Sequence, residues 1–205
     1  MRITAQAKEA THRRILDAAE ELFRSRGFDA TTTRDIARAA GIAAGTLFNY
    51  FDSKEAIVAR LAQTALVKGR LAYARQPGKA SLEEELFALA ASELRQLKPL
   101  RKFFTPLLET VLSPLAAGRG QGTDEFFRAE HLELVAEIAR KHGIPEISPV
   151  SLQVYWALYT GVLAFWAADK SPRQEDTLAM LDQSLRMFAA SLTAAGEPND
   201  ERRDS

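Results

Sequence analysis

The sequence predicts an all-α protein of about nine helices, a small three-helix unit at the N-terminus followed by a larger helical domain. Two observations carry that prediction. Apolar residues recur at helical spacing along most of the chain, and Ser, Thr, Asp, Pro and Gly punctuate those stretches as helix start and stop signals. No segment keeps strict alternation of apolar and polar residues, so no strands are expected.

The elements follow in order. Ile15, Ala18, Ala19, Leu22 and Phe23 give a helix over 7–26, with Gly27 as its stop. Thr32 caps a helix over 33–40, with Asp35 completing a shortened capping box, and a second short helix covers 44–50. Asp52 and Glu55 repeat that relation for 53–75. Ser81 with Glu84 opens 81–97, where Glu83–Glu85 suit the positive helix N-terminus. A helix over 100–116 ends before Gly118, and one over 123–142 ends at Lys141-His142-Gly143. Ser148-Pro149 and Ser171-Pro172 each set a cap before a first-turn proline, for helices over 149–168 and 172–193. Gln76–Lys79 separates the smaller unit from the larger, Gly118–Gly122 reads as a flexible loop, and the polar Glu197–Ser205 as a disordered end. The expected domains are 1–54, 55–194 and a tail over 195–205.

Composition bounds the function. The 205 residues are 46% hydrophobic, and 27 Lys/Arg balance 27 Asp/Glu, so no global basic field points to nucleic acid. Residues 1–54 hold nine Lys/Arg against seven Asp/Glu, a mild local excess. The lack of cysteine excludes disulfides and thiolate metal sites and suits a reducing cytosol. Charges scattered through residues 1–20 interrupt any signal-peptide core. Val150–Ala168 is long enough for a bilayer, but Ser151, Gln153, Tyr155, Tyr159 and Thr160 favour a buried helix in a cytoplasmic protein with no membrane partner.

The densest signal is Thr31–Ile57, TTTRDIARAAGIAAGTLFNYFDSKEAI. Ala37 is small enough for two helices to cross, and Gly41 permits a left-handed turn four residues on. Ile36, Ala40, Ile42 and Leu47 form an apolar underside. Ala43, Ala44, Gly45, Thr46 and Asn49 then point outward, small or hydrogen-bonding residues suited to the major groove of DNA. Thr32, Thr33, Arg34, Tyr50 and Lys54 flank them as phosphate contacts. This is the layout of a helix-turn-helix DNA reader.

Together with RRILDAAEELFRSRGFDATTT before it, RDIARAAGIAAGTLFNYFDSKEAI resembles the signature of the TetR family of bacterial transcriptional regulators, over roughly residues 10–60. The resemblance implies a homodimer with one reading head per subunit. It also implies a C-terminal helical domain that binds a small-molecule effector and pairs with its twin. Thr33, Arg34, Thr46, Tyr50 and Lys54 match positions that commonly touch DNA, and Asn49 a variable one. Ala43 and Ala44 replace more polar residues common in relatives. The expected function is a repressor released from a palindromic double-stranded operator by its effector. An activator of the same fold, or a helical sensor that no longer binds an operator, is the alternative.

In the C-terminal half, Tyr155, Trp156, Tyr159, Val162, Leu163, Phe165 and Trp166 make one helix apolar nearly all round, which calls for cover on more than one side. Leu178, Leu181, Leu185, Phe188 and Leu192 form a stripe for helix packing. The resemblance puts the last two helices in a dimer interface, with Phe165, Trp166, Leu181, Leu185 and Phe188 as its residues; filling the subunit core is the other reading. For an effector pocket the candidates are Phe104, Leu108, Phe127, Tyr155 and Tyr159, with Arg101 and His131 as polar anchors. An enzyme is disfavoured: His12, His131 and His142 are scattered, and no phosphate loop, nucleophile elbow or metal set is present, so no cofactor is expected.

Overall fold

The computed structural model describes residues 4–79, 81–103 and 123–196, excluding the side chains of 123–127 and 193–196. Among the described residues there are eight α-helices and no strand: α1 (Ala5–Arg26), α2 (Thr33–Ala39), α3 (Ala44–Leu47), α4 (Lys54–Ala74), α5 (Leu82–Leu97), α6 (Thr123–Lys141), α7 (Pro149–Ala168) and α8 (Glu175–Gly196). Two 3-10 stretches, Lys98–Phe103 and Pro172–Gln174, complete the order. The helix expected over 100–116 lies mostly outside the described residues, and its first turns are the 3-10 stretch. Pro99 explains the break after α5, because it lacks an N–H and disfavours helical backbone at Lys98.

Two compact units result. The first holds the described residues of Met1–Lys68 and Gln96–Arg119, the second those of Gly69–Arg95 and Gly120–Ser205. Helices α4 and α5 each contribute to both.

In the first unit α1 buries Ile15, Ala19 and Phe23, one face at four-residue spacing. Ile36, Ala37, Ala40, Leu47, Phe51 and Ile57 close over that face, and Phe28 and Phe103 pack their rings on Phe23 at 5.3 and 5.5 Å. Each large side chain so buried stabilises the unit by about 1.5–3 kcal/mol.

In the second unit α7 lies against α8. Tyr155, Tyr159, Val162, Leu163 and Trp166 turn inward from α7, and Leu181, Leu185, Phe188 and Leu192 meet them from α8. The opposite face of α7 is open in the single chain: Val150, Val154 and Phe165 are exposed, as are Leu178 and Met187 on α8. By length and composition α7 could cross a membrane. Among the described residues α7 is covered by α8 and, around Tyr155 and Tyr159, by His131 of α6, while Val150, Val154 and Phe165 stay exposed.

Two helix starts differ from expectation. For α4 the cap is Ser53, whose Oγ accepts the Ala56 N–H at 3.1 Å, and not Asp52. For α8 the sequence placed Ser171 and Pro172 at the helix start, yet Pro172–Gln174 is a 3-10 turn with Arg173 and Gln174 at φ 53° and 62°, and the α-helix begins at Glu175. Asp169 makes the difference. Its carboxylate accepts the Ser171 N–H, the Thr177 N–H and the Thr177 hydroxyl, tying two turns of chain to one side chain. The Thr177 hydroxyl, above all, holds the Asp169 carboxyl well below the usual carboxylate range.

Candidate nucleic-acid interface

The reading head is built from local backbone devices. Thr32 and Asp35 form the expected capping box: Thr32 Oγ1 accepts the Asp35 N–H at 3.2 Å, and Asp35 Oδ2 accepts the Thr32 N–H at 3.2 Å. The Thr32 hydroxyl also donates to Asp35 Oδ2 at 2.6 Å, and that bond leads in depressing the Asp35 carboxyl. At the other end of α2, Gly41 has φ +68°. Its N–H reaches Arg38 O at 3.1 Å while the Ile42 N–H reaches Ala37 O at 3.0 Å, the Schellman pattern that satisfies the last carbonyls of α2. Ala43 then restarts the helix in extended backbone.

The recognition helix is shorter than expected. It spans Ala44–Leu47, and Phe48–Tyr50 form a turn in which the Asn49 N–H bonds Thr46 O and the Tyr50 N–H bonds Leu47 O. Three-residue bonds tighten the chain past the α-helical pitch, ending α3 and returning Phe51 to the core. Leu47 is the fully buried anchor, while Ala43, Ala44, Gly45 and Asn49 are exposed and Thr46 and Tyr50 half-buried. Beside them Arg34 and Thr32 are exposed and Thr33 half-buried. Phe48, which the sequence reading passed over, is 51% exposed on the same turn. A phenylalanine reads as core from sequence, so no local signal marked it.

Lys54 is otherwise engaged. Its Nζ donates to Phe28 O at 2.9 Å and to Thr31 O at 3.3 Å, and it sits 4.1 Å from the centre of the Phe28 ring. A cation at a helix N-terminus opposes the helix dipole, and these two carbonyls and the ring offset that cost. The ammonium ties the first turn of α4 to the α1–α2 loop.

Residues 15–61 match the model for bacterial regulatory proteins of the tetR family. The chain is 53% identical over 51 residues to the HTH-type transcriptional repressor KstR2 of Rhodococcus jostii, a match that spans a quarter (25%) of either protein's length. It is 27% identical over 212 aligned residues to the uncharacterized HTH-type transcriptional regulator Rv1255c of Mycobacterium tuberculosis, covering 97% of both. In fold it is similar to Thermus thermophilus FadR, a TetR family transcriptional repressor solved in complex with lauroyl-CoA, with a TM-score of 0.63 at 24% identity over 95% of this chain and 99% of that one. Residues 15–61 carry the N-terminal module of the tetR family, and the chain as a whole is similar in fold to TetR-family regulators.

The residues expected to meet an effector fall into three groups. His131, Tyr155 and Tyr159 come together in the second unit, Arg101 lies in the first, and Phe104, Leu108 and the Phe127 side chain lie outside the described residues. The centre of the first group is Glu93 of α5, which sequence reasoning missed. Its carboxylate is fully buried and accepts from Arg70 Nε at 3.2 Å, from the Tyr159 hydroxyl at 2.7 Å and from His131 Nδ1 at 3.2 Å. His131 Nε2 faces the Tyr155 hydroxyl at 3.1 Å, and Arg70 also reaches Glu130 at 3.1 Å. Burial pushes the Glu93 carboxyl up, but the His131 charge and hydrogen bond, the Tyr159 hydroxyl and Arg70 outweigh it and hold the group below its usual value. Burial and then the Glu93 charge raise both tyrosines.

Beside Tyr155 and Tyr159 a cavity of about 10 Å³ remains between α7 and α8. A larger groove of about 800 Å³ opens along α5 and α8, between Lys79, Phe87, Arg95 and Arg186. Of the residues expected at a dimer interface, Trp166, Leu181, Leu185 and Phe188 are buried within the subunit, and Phe165 is 41% exposed.

Proposed function

We propose that this chain is a TetR-family repressor, cytoplasmic and homodimeric, that holds a palindromic DNA operator and leaves it when a small molecule occupies its C-terminal domain. Residues 1–54 serve as the head, and 55–194 as the effector and pairing domain. The observation that carries the reading is the exposed turn Ala43–Tyr50, anchored by one buried leucine and flanked by Thr33 and Arg34. Such a surface offers base contacts at its centre and phosphate contacts at its edge. Ala43, Ala44, Gly45, Thr46, Asn49 and Tyr50 face the DNA in this reading. Thr32 and Lys54 hold the head in shape, with Lys54 tied to backbone carbonyls.

One short recognition helix spans few base pairs, so two heads are required for a long site, and a two-fold dimer imposes a palindrome. The open apolar face of α7, with Phe165, Val154 and Val150, supports pairing there, and Leu178 and Met187 extend it onto α8. An effector entering beside His131, Tyr155 and Tyr159 would disturb the Glu93 cluster and, through Arg70, helix α4. The names of KstR2 as a repressor and of FadR as a repressor in complex with lauroyl-CoA support repression and small-molecule control.

Selection of genomic fragments with purified protein, followed by footprinting at two salt concentrations, tests this reading. The expected result is a palindromic footprint bound by a dimer and weakened steeply by salt. Enrichment of no fragment, even at low salt, would refute it.

A further inference from the structure

We infer that Phe48 and Asn49 make the operator's half-sites A·T-centred, Phe48 against thymine methyl groups and Asn49 on adenine. The inference rests on the DNA-binding reading above and names the sequence chemistry that the reading head selects.

Phe48 is the anomaly on this surface. Neighbouring Leu47 and Phe51 are both buried, yet Phe48 at the end of α3 leaves half its surface to solvent. Its backbone is ordinary right-handed helix, φ −67° and ψ −12°, so no strained geometry forces the ring outward. Ala43, Ala44 and Gly45 on the same exposed stretch are small and leave the ring free to meet a groove floor. In the major groove of DNA the apolar feature is the C5-methyl group of thymine.

The polar side chains point the same way. Residues 43–50, AAGTLFNY, contain no Arg or Lys to grip guanine O6 and N7, and no Glu or Asp to accept from cytosine N4. Asn49 is exposed and supplies both the acceptor and the donor that pair with adenine N6 and N7. Thr46, half-buried one turn earlier, offers a hydroxyl that accepts either base and a methyl of its own. The exposed Arg34 and Arg38 belong to α2, the helix that crosses the phosphate backbone in this motif. A surface of phenyl, methyl and one carboxamide discriminates for A·T pairs and has no group dedicated to G·C.

The test is a selection from a randomised duplex library with the full-length protein, followed by replacement of half-site thymines by deoxyuridine, which removes only the C5-methyl. Selected half-sites should be A·T at their centre. Loss of one methyl contact in each half-site should weaken binding about fifteen-fold, roughly fourfold per buried methyl. Phe48→Ala should bind the thymine and uracil operators equally. Asn49→Ala should relax the preference at one adenine per half-site while the uracil penalty remains. A palindrome bound with unchanged affinity after uracil replacement, or one with a G·C centre, would overturn this inference and leave the regulator reading standing. Failure to select any duplex at low salt would remove both.

Discussion

The reading head and the Glu93 cluster use polar side chains in opposite ways. In the head the cap and the turn each serve their own stretch of chain: Thr32 and Asp35 are three residues apart, and the Gly41 turn closes bonds no longer than five residues. Lys54, bound to Phe28 O and Thr31 O, is the long-range exception. The surface left over is exposed and available to a partner. In the second unit Arg70, Glu93, His131 and Tyr159 come from four different helices and meet where water does not reach Glu93. The cap and turn of the head are assembled from sequence neighbours, whereas the cluster exists only after the unit has folded. Polar groups of the first kind tolerate loss one at a time. Those of the second kind stand or fall together, because each removal strands a buried partner.

The largest expected effect therefore falls on Glu93. Glu93→Ala leaves the guanidinium of Arg70, His131 and the Tyr159 hydroxyl without their common acceptor, at a cost of about 3–5 kcal/mol. Glu93→Gln, which still accepts from Tyr159, should cost less. Both tryptophans, Trp156 and Trp166, lie on α7, so denaturation followed by their fluorescence reports on the second unit. A Glu93→Ala loss under about 1 kcal/mol would mean the cluster does not hold that unit together. Acid sharpens the same point. The Glu93 and Asp169 carboxyls are both held below their ordinary values, so their contribution is complete above the unfolded carboxylate range, about pH 4, and fades as pH falls through it. Thermal melts between pH 7 and pH 3 should show Asp169→Asn less stable at neutrality and less sensitive to acid than the wild type.

Two glycines carry the comparison into the backbone. At Gly69, on α4, an added Cβ would lie 2.7 Å from Glu93 Cα and 3.0 Å from its N, so α4 and α5 cross there with no room for a side chain. Neither atom can swing aside, and Gly69→Ala should cost about 1–3 kcal/mol as overpacking. Gly41 presents the reverse case: its nearest neighbour would be the flexible Arg14 guanidinium at 3.8 Å, but its φ of +68° disfavours any Cβ. Gly41→Ala should cost about 1–2 kcal/mol. Asparagine separates the two causes, since it tolerates left-handed backbone yet is larger than alanine. Gly41→Asn should recover much of the loss, and Gly69→Asn should deepen it. Circular dichroism melts of the four variants decide the matter.

This contrast also marks what the sequence made legible. The all-α class, the Thr32–Asp35 box, the Gly41 turn and the buried Leu47 follow from residues a few positions apart, where periodicity and capping act. The start of α8 was misplaced because Asp169 reaches eight residues forward to Thr177, past the Ser171-Pro172 pair that looks like a cap. Glu93 was invisible for a stronger version of the same reason: within EEELFALAASELRQL it is one more acid on a helix, and its partners lie 23, 38 and 66 residues away. Phe48 went unremarked for the opposite reason, because nothing in its neighbourhood tells an aromatic that faces solvent from one in the core. Trp166, Leu181, Leu185 and Phe188 are buried within the subunit, the other of the two readings open for them, since periodicity finds an apolar face without saying what covers it.

The smallest predicted effect separates shape from contact within the head itself. Thr32 and Thr33 stand together at the start of α2, and both match a phosphate-contact pattern. The Thr32 hydroxyl already accepts the Asp35 N–H and donates to Asp35 Oδ2. Thr32→Ala should therefore lower stability by about 1 kcal/mol, with Thr32→Ser close to wild type because serine keeps the cap. Thr33 is not the capping residue, and Thr33→Ala should leave the melting temperature within a degree or so of wild type while weakening operator binding at every sequence equally. Melts and anisotropy titrations on the same four proteins test both halves. Equal loss of stability from the two alanine variants would show that the cap is shared, and the division between a residue that shapes the head and one that touches DNA would have to be abandoned.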